Sequence, residues 1–233
     1  MKTLILLHGW GADGSVWQKQ ALAFRTRLKV ETPTMPEWNP AWLAAYLQNY
    51  DLADCLLVGW SLGGMLLLEV LGKARVPVGG LALVGVAPVF CSRPDHPWGQ
   101  PPGAVRAMRR SLKSDPRKVL KDFARSCLSP AEEAFQEEVN PLFAGGSSSS
   151  LAAGLDYLWR QDLRPLLPGV PAPCTIIQGG QDRITPPEQA QFLHEHLPGS
   201  SLRLLPGAGH LPFWTQEGKF NAILEEIVGQ AGG

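Results

Sequence analysis

Cysteine is scarce: 233 residues hold four, at Cys55, Cys91, Cys127 and Cys174. They are widely scattered, with no CxxC pair and no metal-ligand spacing, so neither a disulfide framework nor a metal site is expected. Cys55 and Cys174 open apolar runs and read as buried thiols. Net charge is missing as well. Lys and Arg number 21 and Asp and Glu 21, which removes the global basic excess of a nucleic-acid binder. No apolar run reaches the roughly 20 residues that a membrane-spanning helix needs. The apolar start Leu4-Ile5-Leu6-Leu7 is too short for a secretory leader and stops at His8-Gly9, not at a small-residue cleavage site. A cytoplasmic address is the expectation. Phosphate loops and dinucleotide fingerprints are absent too, so no cofactor is expected.

What is present is a rhythm of short apolar runs and helix-like stretches. Runs at Thr3 to Leu7, Leu28 to Thr32, Cys55 to Gly59, Leu81 to Val86, Cys174 to Gln178 and Leu202 to Leu205 read as strands. Helical stretches lie at Ser15 to Arg27, Ala41 to Gln48, Gly63 to Leu71 and Phe220 to Val228. Apolar strands alternating with helices predict an α/β fold, a mostly parallel sheet with helices on both faces. From about Phe90 to Leu167 the strand pattern stops. That stretch holds a basic helical segment (Val105 to Arg125), an acidic segment (Glu132 to Glu138), a flexible linker (Gly145 to Ser150) and a further helix-like piece to Trp159. Residues 90–167 are therefore expected to form an inserted helical lid lobe, with 1–89 and 168–233 as the core. A monomer is the expectation.

Chemistry concentrates at three Gly-rich places. Gly59-Trp60-Ser61-Leu62-Gly63 fits G-x-S-x-G, with a strand before it and a helix after it. A serine hydroxyl is a weak nucleophile until a base takes its proton. A sharp strand-to-helix turn exposes that oxygen and aims the helix N-terminus at the reacting centre, and glycines are needed where side chains would clash. His210, in Gly207-Ala208-Gly209-His210-Leu211-Pro212-Phe213, is the candidate base, since imidazole titrates near neutral pH. Asp182 follows the strand Cys174 to Gln178 and is the candidate that orients the imidazole. Asp156 and Asp162 compete, but both lie in the lobe without a strand end. The order Ser, Asp, His is that of the α/β-hydrolases. Two oxyanion donors are expected, the N–H of Leu62 and that of Trp10 in the loop His8-Gly9-Trp10-Gly11. The Trp10 indole is placed to wall an acyl pocket. His8 reads as structural, and His96, His194 and His196 as surface residues.

Leu6-Leu7-His8-Gly9-Trp10-Gly11, Gly59-Trp60-Ser61-Leu62-Gly63-Gly64 and Gly207 to Phe213 together resemble the biotin-synthesis esterases that demethylate pimeloyl-acyl carrier protein methyl ester. Val89 to Trp98 and Gly154 to Arg164 are similar to that family too. The resemblance implies an α/β-hydrolase fold, Ser61, Asp182 and His210 as the triad, and Trp10 and Leu62 as the oxyanion site. It implies acyl contacts from Trp10, Phe123 and Cys127, an acyl carrier protein as partner, and methanol as product. The sequence departs from the family in three ways. It starts almost at the first strand, so the usual N-terminal hairpin is expected to be absent. Glu31 to Pro36 lacks the common Asp-x-x-Gly-x-Gly loop, and the lobe diverges.

Charge placement points the same way. From Arg93 to Arg125 the lobe is basic, and Arg106, Arg109, Arg110, Arg117, Lys118 and Lys121 are the expected contacts for an acidic carrier. The opposing view is a solvated helix face offset by Glu132, Glu133, Glu137 and Glu138. Two other functions fit the same residues: a carboxylesterase for small free esters, and a non-catalytic ligand receptor on this fold.

Overall fold

The structure is a computed structural model that describes residues 1–144, 146–171 and 173–230. Its centre is a six-stranded sheet built from β1 (Thr3–Leu7), β2 (Lys29–Glu31), β3 (Cys55–Trp60), β4 (Gly80–Val84), β5 (Cys174–Gly179) and β6 (Ser201–Leu205). The order is β2-β1-β3-β4-β5-β6, and every neighbouring pair is parallel. All residues of β1, β3 and β4 are buried, so both faces of the sheet centre are covered. This is why those strands read as unbroken apolar runs without alternation. Each fully buried Leu or Ile in them contributes roughly 1.5–3 kcal/mol of transfer free energy.

The core helices are α1 (Gln18–Phe24), α2 (Pro40–Leu47) and α3 (Leu62–Ala74). Between β4 and β5 come α4 (Pro102–Ser111), α5 (Pro116–Ser126), α6 (Gln136–Val139) and α7 (Ser148–Arg160). The chain then adds α8 (Pro187–His196), α9 (Pro212–Thr215) and α10 (Glu217–Gln230). Eleven of the thirteen residues of α3 are buried, so it is a central helix with little amphipathic character. Because all six strands are parallel, their C-terminal ends lie along one edge. The loops that carry His8 to Gly11, Ser61, Gly85, Asp182 and His210 all leave from that edge.

The β4–β5 insertion departs from the sequence expectations in three places. Val105 to Arg125 is two helices. The break falls at Asp115, whose side chain caps the Lys118 N–H at 2.9 Å, with Pro116 opening α5; proline is pre-organised for a first helical position but cannot continue a helix. Ser147 to Ser150 is not a linker: Ser147 caps the Ser150 N–H at 3.2 Å and α7 starts at Ser148. Serine competes for backbone in a helix interior but favours its start. Gly145 of that stretch lies outside the described residues. His96 is not at the surface but fully buried, its Nε2 2.7 Å from Gln189 Oε1 of α8. Among the described residues the insertion has no strand, only two isolated bridges, Cys91 with Gln100 and Arg93 with His96. No helix among them is long and apolar enough to cross a membrane.

Candidate active site

Ser61 sits between β3 and α3 with φ 53° and ψ −120°. Among the described residues only Arg75 is another non-glycine at positive φ, and Arg75 is an ordinary left-handed cap at the end of α3. The Ser61 backbone lies outside that left-handed well, a conformation that costs of order 1–3 kcal/mol and persists only where the surroundings enforce it. The enforcing contacts are visible. The Ser61 N–H donates to the Val84 carbonyl of β4 at 2.9 Å, and its carbonyl accepts the Met65 N–H of α3 at 3.0 Å. Glycine makes the turn possible. A Cβ on Gly59 would stand 2.5 Å from the Gly64 Cα, and one on Gly63 2.4 Å from the His8 carbonyl oxygen.

Asp182 and His210 meet as the sequence predicted. His210 Nδ1 lies 2.7 Å from Asp182 Oδ2, and both side chains are fully buried. The carboxylate also accepts from the N–H groups of Ile184 (2.8 Å) and Thr185 (3.0 Å), the Thr185 hydroxyl (2.9 Å) and the Gln178 amide (3.1 Å). These donors fix its orientation. An ionised carboxylate can only accept, so the proton sits on Nδ1 and Nε2 keeps its lone pair. Nε2 is buried and has no hydrogen-bond partner among the described residues. Sequence reasoning missed Gln178 and Thr185. The signal for Gln178 was a polar residue closing an otherwise apolar strand, which demands a buried partner.

The serine turn and the histidine loop are packed together through Trp60. Its indole N–H donates to the His210 carbonyl at 2.8 Å, and its ring centroid lies 5.5 Å from the imidazole. Gly85, directly after the residue that accepts the Ser61 N–H, would place a Cβ 3.0 Å from His210 Nδ1. Gly9 lies on the opposite side, where a Cβ would be 3.1 Å from that of Ser61.

The first N–H of α3, on Leu62, belongs to the helix-start donors that have no acceptor within the helix. Trp10 opens the turn after β1 and is buried. Its indole N–H donates to the Leu151 carbonyl of α7 at 2.8 Å, and its ring meets Phe123 of α5 edge-on at 5.0 Å. His8 is structural, as its sequence context suggested. Its Nδ1–H donates to the Gly9 carbonyl at 2.9 Å and its Nε2 accepts the Met35 N–H at 3.0 Å. Burial pushes its imidazole pKa down.

Phe123 also lines a cavity of about 830 Å³ between α4, α5 and the aspartate loop, with Phe90, Val105, Met108, Val119 and Ile184. That volume is in the range of small-molecule sites. Cys127 is buried, and its carbonyl accepts the His210 N–H at 2.7 Å. The six lobe cations divide by environment. Arg109 is paired with Asp156 (Nε to Oδ1 2.6 Å) and Lys118 with Asp122 (2.5 Å). Arg106 lies over the Trp159 ring at 5.7 Å. Arg110, Arg117 and Lys121 are exposed. Among the described residues no group of three or more His, Cys, Asp or Glu could hold a metal ion.

Residues 4–223 match the alpha/beta hydrolase family. The chain belongs to that family. It is a hydrolase, which sets aside the receptor alternative. This hydrolase is 30% identical to the pimeloyl-[acyl-carrier protein] methyl ester esterase of Nitrosomonas europaea, with 96% of this chain and 94% of that one covered. It is 29% identical to the enzyme of the same name from Aromatoleum aromaticum, with 97% of both chains covered. Among solved structures, an esterase from Exiguobacterium antarcticum superposes with a TM-score of 0.87 at 25% identity, covering all of this chain and 92% of the other.

Proposed function

We propose that this hydrolase removes the methyl ester from a pimeloyl group carried on acyl carrier protein. Ser61 is the nucleophile, His210 the general acid and base, and Asp182 the group that orients the imidazole and stabilises it when charged. His210 Nε2 takes the Ser61 proton as the Ser61 oxygen attacks the ester carbonyl. The N–H groups of Leu62 and Trp10 hold the oxyanion. Collapse of the tetrahedral intermediate breaks the carbonyl–methoxy bond, and methanol leaves with the proton from His210. Water, deprotonated by the same nitrogen, then attacks the acyl-enzyme and releases the free carboxylate and Ser61.

The observation that carries this reading is the state of the His210 ring. Nδ1 is committed to Asp182, buried Nε2 has no partner among the described residues, and the ring packs on Trp60, the residue before Ser61. Support for the substrate comes from the two curated relatives, whose names specify this ester and whose similarity spans nearly the whole chain. Residues 90–167 act as a cap lobe over the core formed by 1–89 and 168–233. In this reading Trp10 and Phe123 border the acyl chain, with Cys127 alongside. The carrier docks on the lobe cations, chiefly Arg110, Arg117 and Lys121, with Arg106, Arg109 and Lys118 around them.

Mass spectrometry of pimeloyl-acyl carrier protein methyl ester after incubation tests the proposal. Loss of the methyl group is expected, with no loss for Ser61→Ala. Hydrolysis of short free esters with the carrier-bound ester untouched would favour a general carboxylesterase instead.

A further inference from the structure

We propose that Glu132, in the β4–β5 insertion, is a positioning residue for His210. The proposal rests on His210 being the general base. Glu132 is only 4% exposed. A buried carboxylate gives up its hydration, so its hydrogen bonds show what it is retained for. Both go through one oxygen. Oε2 accepts the Ser129 N–H at 2.9 Å and the Gly209 N–H at 2.8 Å, while Oε1 is buried without a partner among the described residues. The Ser129 bond alone is the usual arrangement at a helix start, here the 3₁₀ segment Pro130–Phe135. It does not account for the second bond, which reaches 77 residues along the chain to the residue before His210.

The same turn grips the histidine loop at two further points. The Cys127 carbonyl accepts the His210 N–H at 2.7 Å, and the Ser129 hydroxyl donates to the Gly207 carbonyl at 2.7 Å. Three consecutive peptide groups of Gly207-Ala208-Gly209-His210 are thus bonded to, or flanked by, residues 127–132. The fit is close. A Cβ on Gly209 would stand 2.4 Å from the Cys127 carbonyl oxygen and 2.9 Å from Glu132 Oε2, and one on Gly179 1.9 Å from the Gly209 carbonyl oxygen. The loop is held between the end of β5 on one side and the insertion on the other. Asp182 fixes the ring through Nδ1, but it cannot fix the backbone from which the ring projects. Glu132 does that, by accepting the N–H of the residue before His210.

Removing this bond lets the loop drift, and a displacement near 1 Å costs about a hundredfold in rate. The experiment compares Glu132→Ala, Glu132→Gln and Ser129→Ala on a p-nitrophenyl ester, at a temperature where circular dichroism shows each fully folded. Glu132→Ala should lower kcat about tenfold to a hundredfold with KM unchanged. Glutamine keeps an acceptor oxygen in place and should recover most of that loss. Ser129→Ala, which removes the Gly207 contact and the hydroxyl side of the capping box that seats Glu132, should give a smaller loss of the same kind and serves if Glu132→Ala does not fold. The far-downfield proton resonance of His210 Nδ1–H should broaden or vanish in Glu132→Ala and persist in Glu132→Gln. Folded Glu132→Ala or Ser129→Ala with native kcat and a native resonance would overturn the proposal, as would equal loss in the alanine and glutamine variants. Ser61→Ala and His210→Ala keep the two questions separate. If they retain turnover, the His210 reading fails; if they are inactive while Glu132→Ala is fully active, only the Glu132 role fails.

Discussion

Trp60 donates its buried indole N–H to the backbone carbonyl of His210 at 2.8 Å. The residue before the nucleophile thereby holds the loop of the base by the His210 carbonyl, while Cys127 holds it by the His210 N–H. Its ring also meets Phe213 edge-on at 5.1 Å and Phe143 at 6.0 Å, so the indole is packed on the core and the insertion together.

Trp60→Phe keeps an aromatic ring but removes the donor. The buried His210 carbonyl then loses this partner, which costs about 1–3 kcal/mol. Chemical denaturation should show that loss as a lower midpoint with an unchanged slope. Turnover should fall as well, because the loop that loses a tether carries the base. Native stability in Trp60→Phe would refute the role of this bond.

Much of this site was legible in sequence because it depends on local patterns. Ser61, Asp182 and His210 each follow an apolar run at a strand end, and glycines mark the turns. What escaped were residues whose role is set by distant neighbours. His96 has no sequence partner, yet the fold buries it against Gln189 of α8. Glu132 stands in an acidic stretch that reads as a solvated face, and only tertiary packing brings it to Gly209. Cys127 is another case: its contribution to the histidine loop is a backbone carbonyl, which no side-chain pattern reports. Ser147 to Ser150 misled for the opposite reason. Serine composition suggests a linker, but a serine at the right position caps a helix.

His8 gives the chain a specific acid sensitivity. Burial holds its imidazole below the ordinary value of 6.5. Unfolded chains therefore take up a proton near pH 6.5, and the folded chain takes it up only at lower pH. The stability this contributes is fully present above that pH and declines as pH falls below it. The geometry gives the reason. His8 Nε2 accepts the Met35 N–H, and a proton there would set two donors against each other. His8→Gln retains a side-chain acceptor but does not titrate. Unfolding free energies from urea titrations between pH 7.5 and 5 should fall more steeply for the wild type, by up to about 1.4 kcal/mol per pH unit for one proton. Parallel curves for the two proteins would remove His8 as the source.

Carrier docking predicts a charge effect confined to one substrate. Arg117, Lys121 and Arg125 recur every four residues along α5 and so share a face. Arg109 is a poorer probe, since reversing it also breaks its pair with Asp156. Arg117→Glu with Lys121→Glu should raise KM for carrier-bound ester tenfold or more at low salt, with kcat little changed, as expected for lost electrostatic complementarity. Added salt should raise the wild-type KM toward the variant's, because exposed charges are screened beyond about 10 Å at 0.1 M ionic strength. A free p-nitrophenyl ester carries no acidic protein and is the control. A carrier docked on α5 leaves its kinetics unaffected by the reversal. Equal losses on both esters would place these cations in the fold's stability and not in recognition.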